Sequence, residues 1–386
     1  MARSSFTRRL FTLHSWLGLA TGLLLLVVSL SGVVLVFEEE LDHALNPDLL
    51  TVPVLASSTD AAPTPRLDAI FAAARARYPQ PAFLRFRRLP AHAGLAVEIS
   101  VERDDNKWTF AYFDSQTARF LGERDARSHF LGWLLGVHYG LWGGKTGELT
   151  VALLGVALLL SVGTGLVVYR KHLVPVLLFR QKISWRNWRT ASSSLHRVVG
   201  VWSLLLNLLL ASSGIWMLRY TFLPATYEPE VTKRRRPQPA LAVSFDTLYA
   251  EAKRALPGLR PVGLLGPAAD AEPIVSVFGE MPAGNPLFGQ YSHTVKLDAN
   301  TGQATKTVDL HAASADEQAD AIVTTLHFGQ FGGVLIKIVW SVGGLSPALL
   351  SLSGFLLWWR KRRTRPQAAR RAPVPKPATS ASTVVG

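Results

Sequence analysis

Cysteine is absent from the 386 residues. That excludes disulfides, thiolate-held metals, iron–sulfur clusters, a cysteine nucleophile and covalent haem attachment through CxxCH. A redox centre in this chain has to hang on histidine, methionine or a non-covalent cofactor. Charge is also scarce, at 18% of residues against about a quarter in an ordinary globular chain. Acid is missing altogether from three stretches, 1–9, 170–197 and 360–386, which carry three, seven and eight Lys plus Arg. The net charge of +14 is therefore concentrated in the two tails and one middle connection. Such a distribution marks membrane topology, and it excludes a nucleic-acid partner as the reason for the basic balance.

What the chain does have is long apolar runs. Leu10–Phe37, Leu149–Tyr169, Val198–Leu218 and Val334–Trp359 each reach the ~20 residues that a membrane-crossing helix needs. The first run is far longer than the ~7–15 residues of a signal-peptide core, so it reads as a retained span. Lys337 in the last run is expected to snorkel to the outer interface, and Pro347 to kink that span. The positive-inside rule places 1–9, 170–197 and 360–386 in the cytoplasm and the long connections 38–148 and 219–333 outside. Both connections read as small α+β modules. Arg66–Tyr78 and Phe245–Leu256 have helical spacing, while Ala96–Val101, Trp108–Phe113, Ile274–Phe278 and His293–Leu297 read as strands. Val52–Pro65 and Pro237–Pro239 read as linkers, and 363–386 as a disordered tail.

The chain repeats itself. LHSWLG at Leu13–Gly18 returns as LHRVVG at Leu195–Gly200, an offset of 182, and Ser31-Gly32 returns at the same offset as Ser213-Gly214. HYGLWGG at His138–Gly144 returns as HFGQFGG at His327–Gly333, an offset of 189 that Gly165 and Gly354 keep. The two offsets imply one modest insertion in the second outer module. The expected fold is a mainly α membrane protein with four transmembrane helices. They form a tandem parallel repeat about an axis along the membrane normal, with an α+β module outside each half.

Ionisable side chains at membrane depth are costly and are usually functional. His14 and His196 fall toward the cytoplasmic side, His138 and His327 toward the outer side. One such histidine alone is more often a structural hydrogen-bonding residue; two symmetry-related pairs are not. Two imidazoles meeting across a bundle axis are what a six-coordinate b-type haem requires. The expectation is two haems b per chain, His14 with His196 and His138 with His327, since His14 and His138 lie on opposite sides of the bilayer. Gly18, Gly140, Gly143, Gly200, Gly329 and Gly332 are expected to make room for a flat macrocycle. Few acids stand near the four histidines, which disfavours other metals. His129, on the opposite side of a helix from His138, reads as a surface or supporting residue, and His172 as a solvated one that could replace an inner ligand.

LHSWLGL, FEEELDHALNP, HYGLWGG, LHRVVGVW and HFGQFGG together resemble the PepSY-associated transmembrane helix family of bacterial inner-membrane proteins, over nearly the whole chain to about Arg363. Within that family the likeness is greatest to di-haem ferrisiderophore reductases. The resemblance implies PepSY-like periplasmic modules and a multi-pass inner-membrane protein with both termini cytoplasmic. It implies an oxidoreductase that passes electrons outward to reduce Fe(III)-siderophore and release Fe(II). No GxGxxG lies on a strand–helix unit, so the electrons are expected from a cytoplasmic flavoprotein reductase or from quinol. Two other readings stand beside it: a non-redox PepSY-type binding or regulatory protein, and a haem or siderophore permease. The permease is disfavoured by spans that are apolar at mid-depth apart from Asn207 and small hydroxyls. The basic run Lys233–Arg236 is a candidate attractor of anionic chelates.

Overall fold

A computed structural model describes residues 5–54, 64–79, 83–102, 108–222, 238–267 and 271–369. The Lys233–Arg236 run, most of the linker Val52–Pro65, Pro237 of the second linker and the tail beyond 369 lie outside them. The first half of the chain runs α1 (Ser5–Leu35), α2 (Glu38–Leu45), α3 (Pro47–Leu50), α4 (Leu67–Arg77), β1 (Phe83–Arg88), β2 (Val97–Glu102), β3 (Trp108–Phe113), β4 (Phe120–Asp125), α5 (Phe130–Gly140) and α6 (Gly144–Leu177). The second half runs α7 (Trp188–Trp202), α8 (Leu204–Met217), α9 (Phe245–Ala255), β5 (Arg260–Leu265), β6 (Ile274–Glu280), β7 (His293–Asp298), β8 (Ala304–Val308), α10 (Ala315–Phe328), α11 (Gly333–Gly344) and α12 (Ser346–Ala369).

Among the described residues, three helical stretches are long and apolar enough to cross a membrane: α1, α6 and the stretch Gly333–Arg360. The pair α7–α8, bent by 65°, makes a fourth if it counts as one span. The third apolar run is thus broken at Ser203 rather than straight. α7 starts well inside the stretch expected to be a cytoplasmic loop, where Asn187 and Thr190 form a capping box. The last run is also broken, at Leu345, with Ser346-Pro347 opening α12, since proline fits the first turn of a helix and not its interior. The two breaks meet. Ser346 Oγ donates to Asn207 Oδ1 at 3.0 Å, and Asn207 Nδ2 donates to Ser203 Oγ at 3.0 Å, so this buried amide at mid-depth is satisfied from both sides. The basic residues after Trp359 continue α12 to Ala369, not a coil from 363 as expected.

The two outer modules are not separate bodies. Their strands form one eight-stranded sheet in the order β4-β3-β2-β1-β5-β6-β7-β8, with each pairing antiparallel. Two four-stranded meanders meet at β1 and β5, where Phe86 faces Leu264, an offset of 178. Gly263 lies against the seam, where a Cβ would come within 3.0 Å of the Phe86 carbonyl. α4 and α9 cover one face. Leu67, Ile70 and Ala74 from α4 and Phe245, Leu248 and Ala252 from α9 pack on Phe86, Val97, Ile99, Val101, Leu264, Val275, Val277, Val295 and Leu297. The two helices also cap each other. Asp68 accepts from the Phe245 and Asp246 amides at 2.8 and 3.1 Å, and Asp246 accepts from the Leu67 amide at 2.7 Å. These carboxylates keep the offset of the seam. With the 182 of the spans and the 189 of the HxGxxGG motifs, the offset falls and then rises, so the halves differ by several length changes rather than one insertion.

The opposite sheet face mixes aromatic side chains with buried charge, and α2 is tied to it through Asp42. Arg124 forms a two-pronged pair with Asp42, both contacts 2.6 Å, and Arg87 pairs with the buried Glu98. Burial pushes the Asp42 carboxyl up, and the Arg124 guanidinium with Asn46 more than reverses this, leaving it below the usual carboxylate range. α2 also binds the membrane helices. Lys337 is 8% exposed and its Nζ meets Glu40 Oε1 at 2.6 Å, so it is buried and paired rather than snorkelling.

Candidate functional site

Each of the four membrane-level histidines is held in the same way, by a hydroxyl–glycine step on a neighbouring helix. His14 Nδ1 on α1 lies 3.1 Å from the Ser161 carbonyl and 3.1 Å from Thr164 Oγ1 of α6. His138 Nδ1 on α5 lies 2.9 Å from the Val28 carbonyl and 3.2 Å from Ser31 Oγ of α1. His196 Nδ1 on α7 reaches Ser353 Oγ of α12 at 2.9 Å, and His327 Nδ1 on α10 reaches Ser213 Oγ of α8 at 2.8 Å. All four hydroxyls give their own hydrogen to a carbonyl one turn back. A carbonyl, or a hydroxyl whose hydrogen is already given away, can only accept, so each Nδ1 carries the proton and each Nε2 keeps its lone pair.

The residue after each hydroxyl is glycine, and a Cβ there would face the imidazole. It would lie 2.7 Å from His138 Cε1 at Gly32, 3.2 Å from His327 Cε1 at Gly214, 3.3 Å from His14 Cε1 at Gly165 and 3.6 Å from His196 Cε1 at Gly354. The four hydroxyls are not among the expected site residues. All four glycines, with Ser31 and Ser213, stand out in the sequence repeats, but their use does not.

The structure brings the histidines together in two pairs. His14 and His196 have ring centroids 6.2 Å apart, and His138 and His327 6.3 Å apart. α1 links them, carrying His14 near one end and the Ser31 anchor of His138 farther along, about 25 Å away at 1.5 Å per residue. His14 and His196 open onto a cavity between α1, α6, α7, α8 and α12 with about 820 Å³ of empty space, part of it open to the outside. Gly18, Gly165 and Gly200 line it. Gly18 and Gly200 each follow a histidine by one helical turn, so a side chain there would project into the space beside the imidazole.

The other expected residues fall elsewhere. His129 caps α5, with Nδ1 3.0 Å from the Asp125 carbonyl. His172 sits on the far extension of α6 beside Tyr169 and does not line the cavity. Gly140, Gly143, Gly329 and Gly332 serve corners rather than a macrocycle face. A Cβ at Gly143 would meet Gly147 at 3.0 Å, one at Gly329 would meet Trp340 at 2.7 Å, and Leu141 and Trp142 both take left-handed φ in the same corner.

The cavity and its flanking imidazoles match what a b-type haem asks of a protein: nitrogen lone pairs, oriented rings, small residues beside them and apolar walls. No curated protein matches the chain. A family model described as the PepSY-associated TM region matches residues 11–361, which contain all four histidines and their anchors, and the chain belongs to that family.

Proposed function

We propose that the chain is a duplicated four-span protein of the bacterial inner membrane that carries electrons across the bilayer through two bis-histidine b haems and reduces Fe(III)-siderophore on the periplasmic side. The observation that carries this reading is the fourfold anchoring of Nδ1, which leaves Nε2 of each histidine free to bind a metal within two facing pairs. Ring centroids about 6 Å apart would leave room for one metal ion between two imidazole nitrogens. His14 with His196 and His138 with His327 stand at 6.2 and 6.3 Å. When bound, haem iron supplies one-electron chemistry. The residues of the chain would hold and orient it: the hydroxyl–glycine steps fix the rings, Gly18 and Gly200 would leave room, and the apolar helices would exclude water.

Matching element order, the reciprocal Asp68 and Asp246 caps and the sheet seam support the tandem repeat and two PepSY-type modules. The acid-free stretches 1–9, 170–197 and 360–386 support cytoplasmic tails and a cytoplasmic middle connection. A ferric chelate that takes one electron holds its iron less tightly, because hard oxygen ligands attract the lower charge less. A cytoplasmic flavoprotein or quinol is the donor class that fits a chain with no nucleotide-binding motif.

A pyridine haemochrome assay on purified protein tests the cofactor, with about two acid-extractable haems per chain expected. His14→Ala and His196→Ala should each abolish the same spectral component, and the double variant should lose little more than either. His138→Ala and His327→Ala should do the same to a second component. A haem-free protein that reduces ferric chelates at the full rate would end the proposal.

A further inference from the structure

The second half of the sheet ends in a side-chain cluster that the described residues of the first half lack. His293 opens β7, and Asp309 and His311 directly follow β8. His293 Nδ1 stands 3.3 Å from Asp309 Oδ1, and His311 Nδ1 stands 2.9 Å from the same oxygen. One ligand atom from each of the three lies within 4.8 Å of the others. The two imidazoles stack with centroids 5.3 Å apart and planes 24° from parallel, and Phe288 packs edge-on against both. His293 is 1% exposed, whereas the His311 side chain is 38% exposed, so the cluster is walled on one side and open on the other.

Its hydrogen bonding leaves one contact unexplained. The Leu310 amide donates to His293 Nδ1 at 3.3 Å, which requires a lone pair on that nitrogen. The same nitrogen faces the Asp309 carboxylate, a second acceptor. Two acceptors at that distance repel unless a proton or a metal ion lies between them. The Asn285 amide donates to His311 Nε2 at 3.3 Å, so without an ion His311 Nδ1 carries the proton that meets Asp309. An ion held by the two Nδ1 atoms and Asp309 takes the place of that proton and of the Leu310 contact, since each ring nitrogen has one lone pair. Ligands about 2.1 Å from one ion are about 2.9–3.4 Å from each other in octahedral or tetrahedral arrangement, and the 2.9 and 3.3 Å spacings fall in that range.

The fold itself does not need these imidazoles. Asp125, the counterpart of Asp309 at an offset of 184, makes the same turn. Its Oδ1 accepts from the Arg127 amide at 2.8 Å, as Asp309 Oδ1 accepts from the His311 amide at 3.0 Å. At that offset the counterparts of His293 and His311 are Thr109 and Arg127. The turn is shared and the two histidines are not.

We propose that His293, Asp309 and His311 form a binding site for a first-row divalent transition-metal ion. Two imidazoles and one carboxylate with open positions suit Zn(II) or Fe(II) and do not suit Ca(II) or Mg(II), which take oxygen ligands. The site is independent of the haem reading and is built on β7 and the turn after β8.

The test uses full-length haem-loaded protein in detergent, purified through a histidine-free tag, stripped by chelator and titrated with zinc. Wild type should retain about one zinc per chain more than His311→Arg, which installs the residue found at the counterpart position. Zinc should also raise the melting temperature of wild type and not of the variant. Fe(II) added without oxygen should compete. Equal zinc retention and equal thermal response in the two proteins would overturn the proposal and leave a proton in place of the ion. Should His311→Arg fail to fold, Asp309→Asn, which preserves the turn acceptor, takes its place under the same criterion.

Discussion

Substituting the glycine that backs an imidazole probes the four cradles one at a time. A Cβ at Gly32 would stand 2.7 Å from His138 Cε1, closer than packed atoms tolerate, whereas one at Gly354 would make ordinary contact with His196 at 3.6 Å. Gly32→Ala should therefore turn the His138 ring and weaken cofactor retention at that pair by about 10–100-fold, the usual effect of disturbing a ligand's support. Gly354→Ala should leave the His14 and His196 component unchanged. Haem occupancy and the two spectral components read both outcomes, and equal effects at the two glycines would show that cradle spacing does not matter. The histidines were legible in the sequence because each recurs in a repeated motif at a fixed offset. Ser31, Thr164, Ser213 and Ser353 were not legible as anchors. A hydroxyl in an apolar helix ordinarily back-bonds to its own helix, as these four also do, and only tertiary structure shows the lone pair turned toward a ring.

α4 and α9 each begin at a carboxylate supplied by the other. Asp68→Ala should destabilise the sheet domain by about 1 kcal/mol, the usual value of a cap, even though the helix that loses most is α9. Asp246 has a raised pKa, from burial first and from the neighbouring Asp68 carboxyl second. For an acid, a raised folded-state pKa means that the native state holds its proton more firmly than the unfolded chain. Stability from this group is full below the unfolded pKa and falls as pH rises through the folded one. Asp246→Asn keeps an oxygen acceptor for the Leu67 amide and removes the charge. Its melting temperature should gain on wild type as pH rises above the ordinary aspartate range, and a difference that does not change with pH would refute the coupling. α4, α9 and the alternating strands β2, β3, β6 and β7 were readable from periodicity. β1 also alternates, with Leu84 and Phe86 inward and Arg85 and Arg87 outward, but its three arginines and the bulge at Arg88 disguise a strand. Arg87 belongs there because the far sheet face holds the buried Glu98, with which it pairs. Nor did the third run, apolar but for Asn207 and small hydroxyls, betray its sharp bend between α7 and α8. A bend set by Ser203, Asn207 and a serine on another helix leaves no local mark.

Over the whole molecule, each histidine pair takes one residue from each half, and the sheet does the same. Chains cut in the exposed stretch near Lys182 and produced together should reassociate, recover both haem components and co-purify. Either half alone should hold neither. A half that retained a complete haem component by itself would contradict the pairing. The seam where Phe86 meets Leu264 joins one position to its own counterpart, in antiparallel register, which is how two identical edges meet about a two-fold axis. A half-length chain would expose β1 as an open edge and close it with a second copy of itself, so both histidine pairs would be built at a subunit boundary. Fusing the copies lifts the demand that they stay alike. Thr109 and Arg127 stand on one side where His293 and His311 stand on the other, an asymmetry that a homodimer encoded by a single gene cannot hold.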